Sequence, residues 1–179
     1  EYSPEDTIPS RLASVGFQPS DVKYVVFSHM HVDHAGDMQL FGNATFVAGK
    51  DEKEKMTTIY DPHMPEGLLD IFRTPEFNWK LIGLGETELV PGVKLHNLGP
   101  GHSYNMIAME LSFERPILVV GDLVYHSWAY EGKPAGFAAD PEGYASSVSK
   151  VHELADRLDA DIWFGHDPDQ FPRLKKAPE

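Results

Sequence analysis

The chain has 179 residues, of which 41% are hydrophobic and 24% charged, the balance of a soluble domain large enough for one core. Fifteen basic against 28 acidic residues leave a net charge of −13, which disfavours nucleic acid and anionic membrane surfaces as partners. There is no cysteine, so disulfides and thiolate metal sites are excluded, and any metal must sit on histidine and carboxylate ligands. No run of about 18 apolar residues offers a membrane span, and the acidic start Glu1-Tyr2-Ser3-Pro4-Glu5-Asp6 does not resemble a signal peptide, so a cytoplasmic location is expected.

In chain order, Ser3-Pro4-Glu5 reads as a helix start, with Ser as N-cap, Pro at the first helical position and acids in the first turn. Ile8, Leu12 and Val15 share one face of that helix, and Gly16 stops it. Tyr24-Val25-Val26-Phe27, inside Lys23 to Ser28, suits a buried strand. Ala44 to Ala48 reads as a strand and Lys50 to Met56 as a short helix. Residues 57–80, with Pro62, Pro65 and Pro75, read as irregular or weakly helical. Lys94 to Leu98, Met106 to Phe113 and Pro116 to Val120 read as strands. Asp140-Pro141-Glu142 opens the clearest helix, whose apolar face is Tyr144, Val148, Val151, Ala155 and Leu158. Asp161 to Phe164 is a last short strand. Strands alternating with helices argue an α/β fold.

The chemistry concentrates in His29-Met30-His31-Val32-Asp33-His34, which follows the first strand at once and so lies on a loop at its C-terminal end, where ligands collect in α/β proteins. His29 and His31 alternate to one side and can grip one ion; Asp33 and His34 can reach a second. Imidazole and carboxylate suit zinc and similar borderline cations. A cluster this dense is costly to bury unless something satisfies it. His102 in Gly99-Pro100-Gly101-His102-Ser103 and His166 in Gly165-His166-Asp167 also lie just past expected strands, and Asp122 follows the apolar run Ile117 to Val120, where a carboxylate can bridge two ions. His63, His96 and His152 read as structural or surface residues, and His126 as a supporting group near the site.

The pattern His29-x-His31-x-Asp33-His34, followed by His102, Asp122 and His166, resembles the metallo-β-lactamase superfamily over nearly the whole chain. The resemblance implies a single domain over 1–179 with that family's αββα sandwich, incomplete at its N-terminus because the family's first strands and its Leu-Asp-Thr-Gly type turn do not precede the first helix here. It implies two divalent metal ions, zinc foremost. His29, His31 and His102 would bind one; Asp33, His34 and His166 would bind the other; Asp122 would bridge them, with water or hydroxide as the second bridge.

Within the superfamily the chain looks most like the N-acyl homoserine lactone lactonases. Asp122-Leu123-Val124-Tyr125 matches their Asp-x-x-Tyr, which implies that the Tyr125 hydroxyl points at the substrate carbonyl. Pro134-Ala135-Gly136-Phe137, followed by Asp140-Pro141-Glu142, matches a loop whose backbone contacts the acyl amide, which implies a substrate role for Ala135 and Gly136. Phe164-Gly165-His166-Asp167 with Gln170 matches their C-terminal motif, and Leu89-Val90-Pro91-Gly92-Val93 also fits. The chain departs from them after His102, where Ser103-Tyr104-Asn105-Met106 stands in place of Ser-Pro-Gly-His. The implied reaction is lactone ring opening by a metal-bridging hydroxide, with Tyr125 and one metal stabilising the oxyanion and Asp33 protonating the leaving alkoxide. The expected partner is a small acyl lactone, and a homodimer stays open. The rival readings are a glyoxalase II-like thioesterase or broad carboxylesterase on the same ligands, and a non-catalytic binder that keeps the metal site.

Overall fold

The alternation of side chains along β-strands sorts this chain into layers. The computed structural model describes residues 3–58, 67–132 and 138–174. One sheet, parallel throughout, has the order β1 (Tyr24–Val26), β2 (Thr45–Gly49), β3 (Asn78–Ile82). The other has the order β4 (Gly85–Val90), β5 (Val93–Gly99), β6 (Met106–Leu111), β7 (Ile117–Gly121), β8 (Asp161–Phe164). Its neighbours are antiparallel as far as β7, and β8 runs parallel to β7. Two antiparallel steps make β5 parallel to β7, so β5, β7 and β8 all end at the same rim.

On β2, Phe46 and Ala48 face a cluster with Phe27, Met38, Met56 and Phe72, which brings in α2 (Lys50–Thr58) and α3 (Leu68–Arg73). Val47, between them, faces the other way and meets Ile82, Leu95 and Ile107 in the space between the sheets. Outside the second sheet, the long helix Pro141–Leu158 lays Val151 and Leu154 on Leu98, Leu118 and Val120. Each fully buried residue of this kind contributes about 1.5–3 kcal/mol. The result is helix, sheet, sheet, helix, as expected. No described helix is long and apolar enough to cross a membrane.

The strands expected around 24–27, 44–48, 94–98, 106–113, 116–120 and 161–164 all form, within a residue or two at most ends. The long helix forms with Asp140 as its N-cap, accepting from the Gly143 amide at 2.9 Å. The first helix differs. Its opening turn, Pro4–Asp6, is a 3-10 turn capped by Ser3, and Thr7 then caps a separate α1 (Ile8–Ser14). Pro9 has no amide to donate into a helix continuing from Pro4, so the chain restarts. Two strands differ from expectation. β3 begins inside the stretch read as irregular, and β4 carries Glu86 and Glu88. Both lie at sheet edges, where half the side chains meet water and the apolar signal weakens.

Candidate metal centre

Four strand ends meet at one place. Past β1, the Phe27 amide donates to the Val47 carbonyl and the Ser28 carbonyl accepts from the Ile107 amide of β6, both at 2.9 Å, which stitches the outgoing loop to both sheets. The loop then folds tightly, the amides of His34 and Ala35 donating to the His31 carbonyl. From the rim of the second sheet come His102 after β5, Asp122 after β7 and His166 after β8.

The side chains converge in two groups, each with its ligand atoms within 4.8 Å of one another: His29, His31 and His102; and Asp33, His34, Asp122 and His166. His31 Nδ1 lies 3.0 Å from both His29 Nε2 and His102 Nε2. Asp122 Oδ2 is 3.2 Å from His34 Nε2, 3.6 Å from His102 Nε2 and 3.8 Å from His29 Nε2, while its Oδ1 is 3.2 Å from His166 Nε2. Asp33 Oδ2 lies 3.3 Å from His34 Nε2 and 3.7 Å from His166 Nε2. Every residue expected as a ligand is therefore in the cluster, with Asp122 between the two groups. Tyr125 stands at its side, its ring 5.1 Å from those of His102 and His166. Ala135 and Gly136 lie outside the described residues.

Two glycines let the carboxylate sit so deep. A Cβ on Gly121, whose φ is +54°, would come 2.8 Å from Ser28 Cβ, and one on Gly165 would come 2.6 Å from Asp122 Oδ1. Larger residues at either position would push the β1 loop or Asp122 out of line.

The electrostatics suit cation binding. Burial holds His29 neutral, its pKa lowered to about 2, and His34 and His31 beside it work in the same direction. Burial also lowers His31. Burial acts against a charged His34 too, but the Asp122 carboxylate, 3.2 Å away, outweighs it and raises its pKa. For Asp122, burial acts against the charged form, yet His34 beside it and the other surrounding imidazoles hold it well below the usual carboxylate range. Burial and the negative charge of Asp122 keep the Tyr125 hydroxyl protonated.

A metal fits these residues. One imidazole nitrogen facing two others at 3.0 Å makes sense around a shared cation, since ligands about 2.0–2.1 Å from a tetrahedral ion stand about 3.3 Å apart. His34 Nε2 and Asp122 Oδ1 are buried without a hydrogen-bond partner, and buried polar atoms of that kind call for an ion or other ligand to satisfy them. Ser28 Oγ, 3.2 Å from His29 Nδ1, supplies the outer contact that orients a ligating imidazole.

The other histidines divide. His96 is buried in β5 with its Nε2 2.8 Å from Glu110 Oε2, away from the cluster. His152 Nε2 lies 3.0 Å from the Tyr130 carbonyl oxygen and its ring stacks on that of Tyr130. His126 stacks on Trp128, next along from Tyr125; His63 lies outside the described residues.

Two carboxylates that shape the centre escape a reading of the sequence. Glu52 carries no signal there beyond a polar residue in a short helix. Asp167 stands out only as part of a motif. It accepts from the amides of Ser127 at 2.8 Å and of Asp169 and Gln170 at 2.9 Å, tying the turn after His166 to the one after Tyr125. These bonds, that from Ser127 foremost, lower its pKa to about 2. A depressed pKa stabilises the fold above the unfolded value, about 3.9, and that stability is lost as pH falls toward the folded value. Asp167→Ala should therefore cost about 1–2 kcal/mol at neutral pH, a drop in Tm of about 4 °C for a domain of this size. In thermal unfolding the gap from wild type should close as pH falls from about 4 toward 2; a gap independent of pH would sink this role.

Comparison with known proteins agrees with the geometry. A model described as the metallo-beta-lactamase superfamily matches residues 2–166. The chain is 34% identical over 186 residues to the N-acyl homoserine lactonase AiiB of Agrobacterium fabrum, covering 97% of this chain and 67% of that protein. It is 32% identical over 177 residues to the N-acyl homoserine lactonase AiiA of Bacillus thuringiensis subsp. kurstaki, covering 98% and 68%. A crystal structure of an N-acyl homoserine lactone hydrolase, with the product N-hexanoyl-L-homoserine at its catalytic metal center, superposes with a TM-score of 0.86 at 29% identity, over 100% of this chain and 69% of that one.

Proposed function

The chain belongs to the metallo-β-lactamase superfamily, and from that premise we propose that it is a lactonase that opens the ring of N-acyl homoserine lactones, a quorum-quenching activity. The observation that carries this reading is the pairing of a two-group metal cluster with Tyr125 at its side. We assign His29, His31 and His102 to one ion, Asp33, His34 and His166 to the other, and Asp122 to both, within a single domain over 1–179. The two divalent ions, which we propose to be zinc, supply hydroxide from water near neutral pH and a Lewis acid for the substrate carbonyl.

The protein's own groups do the rest. Hydroxide adds to the lactone carbonyl carbon, the ring ester C–O bond breaks, and a proton ends on the former ring oxygen, giving an acyl homoserine. Tyr125, kept protonated by burial and by Asp122, donates its O–H to the carbonyl oxygen as negative charge grows there. Asp33, with a side chain 56% exposed at the open side of the cluster, is placed to carry the proton to the departing alkoxide. Asp122, sealed at 1% exposure, faces the imidazoles of both groups and holds them against each other. Ala135 and Gly136 contact the acyl amide in this reading. It needs no nucleic acid or membrane partner and leaves a homodimer open.

Hydrolysis of a panel of acyl homoserine lactones, other lactones and thioesters, followed by product mass, tests the proposal. Ring-opened acyl homoserine as the best product supports it. Preference for a thioester would transfer the site to a glyoxalase II-like reaction, and two bound metals with no turnover would make the protein a binder. Tyr125→Phe should lower kcat about 100-fold while metal content, read by elemental analysis, stays at the wild-type level. A variant that instead unfolds would mean that Tyr125 serves packing.

A further inference from the structure

We propose that Glu52 is a positioning residue for the metal centre: its buried carboxylate clamps the loop carrying His29 and His31 to the loop carrying His102. It rests on the assignment of those three histidines as ligands to one ion.

Glu52 lies in the first turn of α2, directly after β2, and is fully buried. Its Oε1 accepts from the Met30 amide at 2.8 Å, and Met30 stands between His29 and His31. Both of its oxygens accept from Ser103 Oγ, at 2.8 and 2.9 Å, and Ser103 adjoins His102. Its Oε2 also accepts from the Asn105 amide at 3.0 Å. One carboxylate thus joins the ligand loop that leaves the first sheet to the ligand loop that leaves the second. These donors are sealed as well, with Met30 and Ser103 at 0% exposure and Asn105 at 2%. Asn105 is itself held on the far side, its Oδ1 accepting from Asn97 Nδ2 at 2.7 Å. It packs where a Cβ on Gly49, the last residue of β2, would fall 1.9 Å from that oxygen.

A carboxylate with no cation beside it is an expensive thing to bury. Among the described residues no Lys, Arg or His forms an ion pair with Glu52. The loops it grips carry His29, His31 and His102, so the cation those imidazoles would hold is the positive charge this proposal sets against the anion. Outer groups of this kind commonly change metal affinity about 10–100-fold when removed.

The test is zinc binding by Glu52→Gln, read by competition against a chromophoric chelator, with thermal unfolding of the metal-free and zinc-loaded forms and kcat and KM at saturating zinc. The amide keeps the size but presents an N–H to groups that are themselves donors. The expected result is a zinc affinity about 10–100-fold weaker, a smaller rise in Tm on adding zinc, and a lower kcat with KM little changed. Glu52→Asp, which restores the charge, should recover part of the affinity. Zinc affinity within about twofold of wild type, well short of the loss expected for an outer group, would overturn the proposal and leave Glu52 a merely structural carboxylate. Equal destabilisation of the metal-free and zinc-loaded forms would do the same. Should Glu52→Gln not fold, Ser103→Ala removes the shared donor with less disturbance; it should weaken zinc binding in the same direction, and unchanged affinity would overturn the proposal. Because zinc binding is read without substrate, a wild-type protein that binds zinc but opens no lactone would sink the lactonase reading and leave the role of Glu52 intact.

Discussion

Chelation should abolish lactone hydrolysis, by more than about 1000-fold, and adding back a divalent ion should restore it. Unassisted water has a pKa of about 15.7, and on a catalytic ion it falls to about 7, so hydroxide near neutral pH depends on the metals. The Tyr125 hydroxyl is held protonated and offers no phenolate, and His29, with its pKa lowered to about 2, is too weak a base to draw a proton from water. Chelation should also lower Tm, because ions that bind only the folded protein stabilise it by mass action. Rate and Tm followed together through titration with chelator and re-addition of zinc, iron, cobalt or manganese would check both effects and identify the metal that serves best. A chelator-resistant rate would contradict the entire scheme.

Asp122→Asn should empty both metal positions and lower the rate by more than about 100-fold. Replacing outer-sphere partners of metal sites costs about 10–100-fold, and a ligand shared by both groups should cost more. The change is nearly isosteric, which matters because the side chain packs closely on Gly165, where a Cβ would fall 2.6 Å from Asp122 Oδ1. The backbone should keep its course while an amide N–H turns toward nitrogens that stand 3.2 Å from the carboxylate oxygens. Elemental analysis after dialysis, with circular dichroism as the control for folding, measures the effect. Full metal content and a wild-type rate would sink the assignment of Asp122 to both ions.

How far the sequence alone reaches can be judged on particular residues. The run His29 to His34 announces itself by density, since no surface loop needs that many imidazoles and carboxylates together. His102, Asp122 and His166 are individually weak and become a set only through a family pattern of order and spacing. Glu52 gives no signal at all, because a glutamate in a short polar helix looks like any solvated acid; only the approach of two loops to the one side chain that the first turn of α2 buries makes it a shared acceptor. The edge strands β3 and β4 are hidden for a similar reason, their outward residues being as polar as those of a loop.

By itself the sequence determined the ligand chemistry, with no cysteine and a dense set of histidines and carboxylates, and most of the strands and the long helix, whose periodic apolar residues are local properties of the chain. The tertiary structure alone decided that β5, β7 and β8 end at one rim, that the β1 loop meets them there, and that Asp122 comes to rest between two groups of imidazoles. Those are relations between residues as far apart as His29 and His166. They follow from strand direction and from the packing of two sheets, which no local pattern encodes.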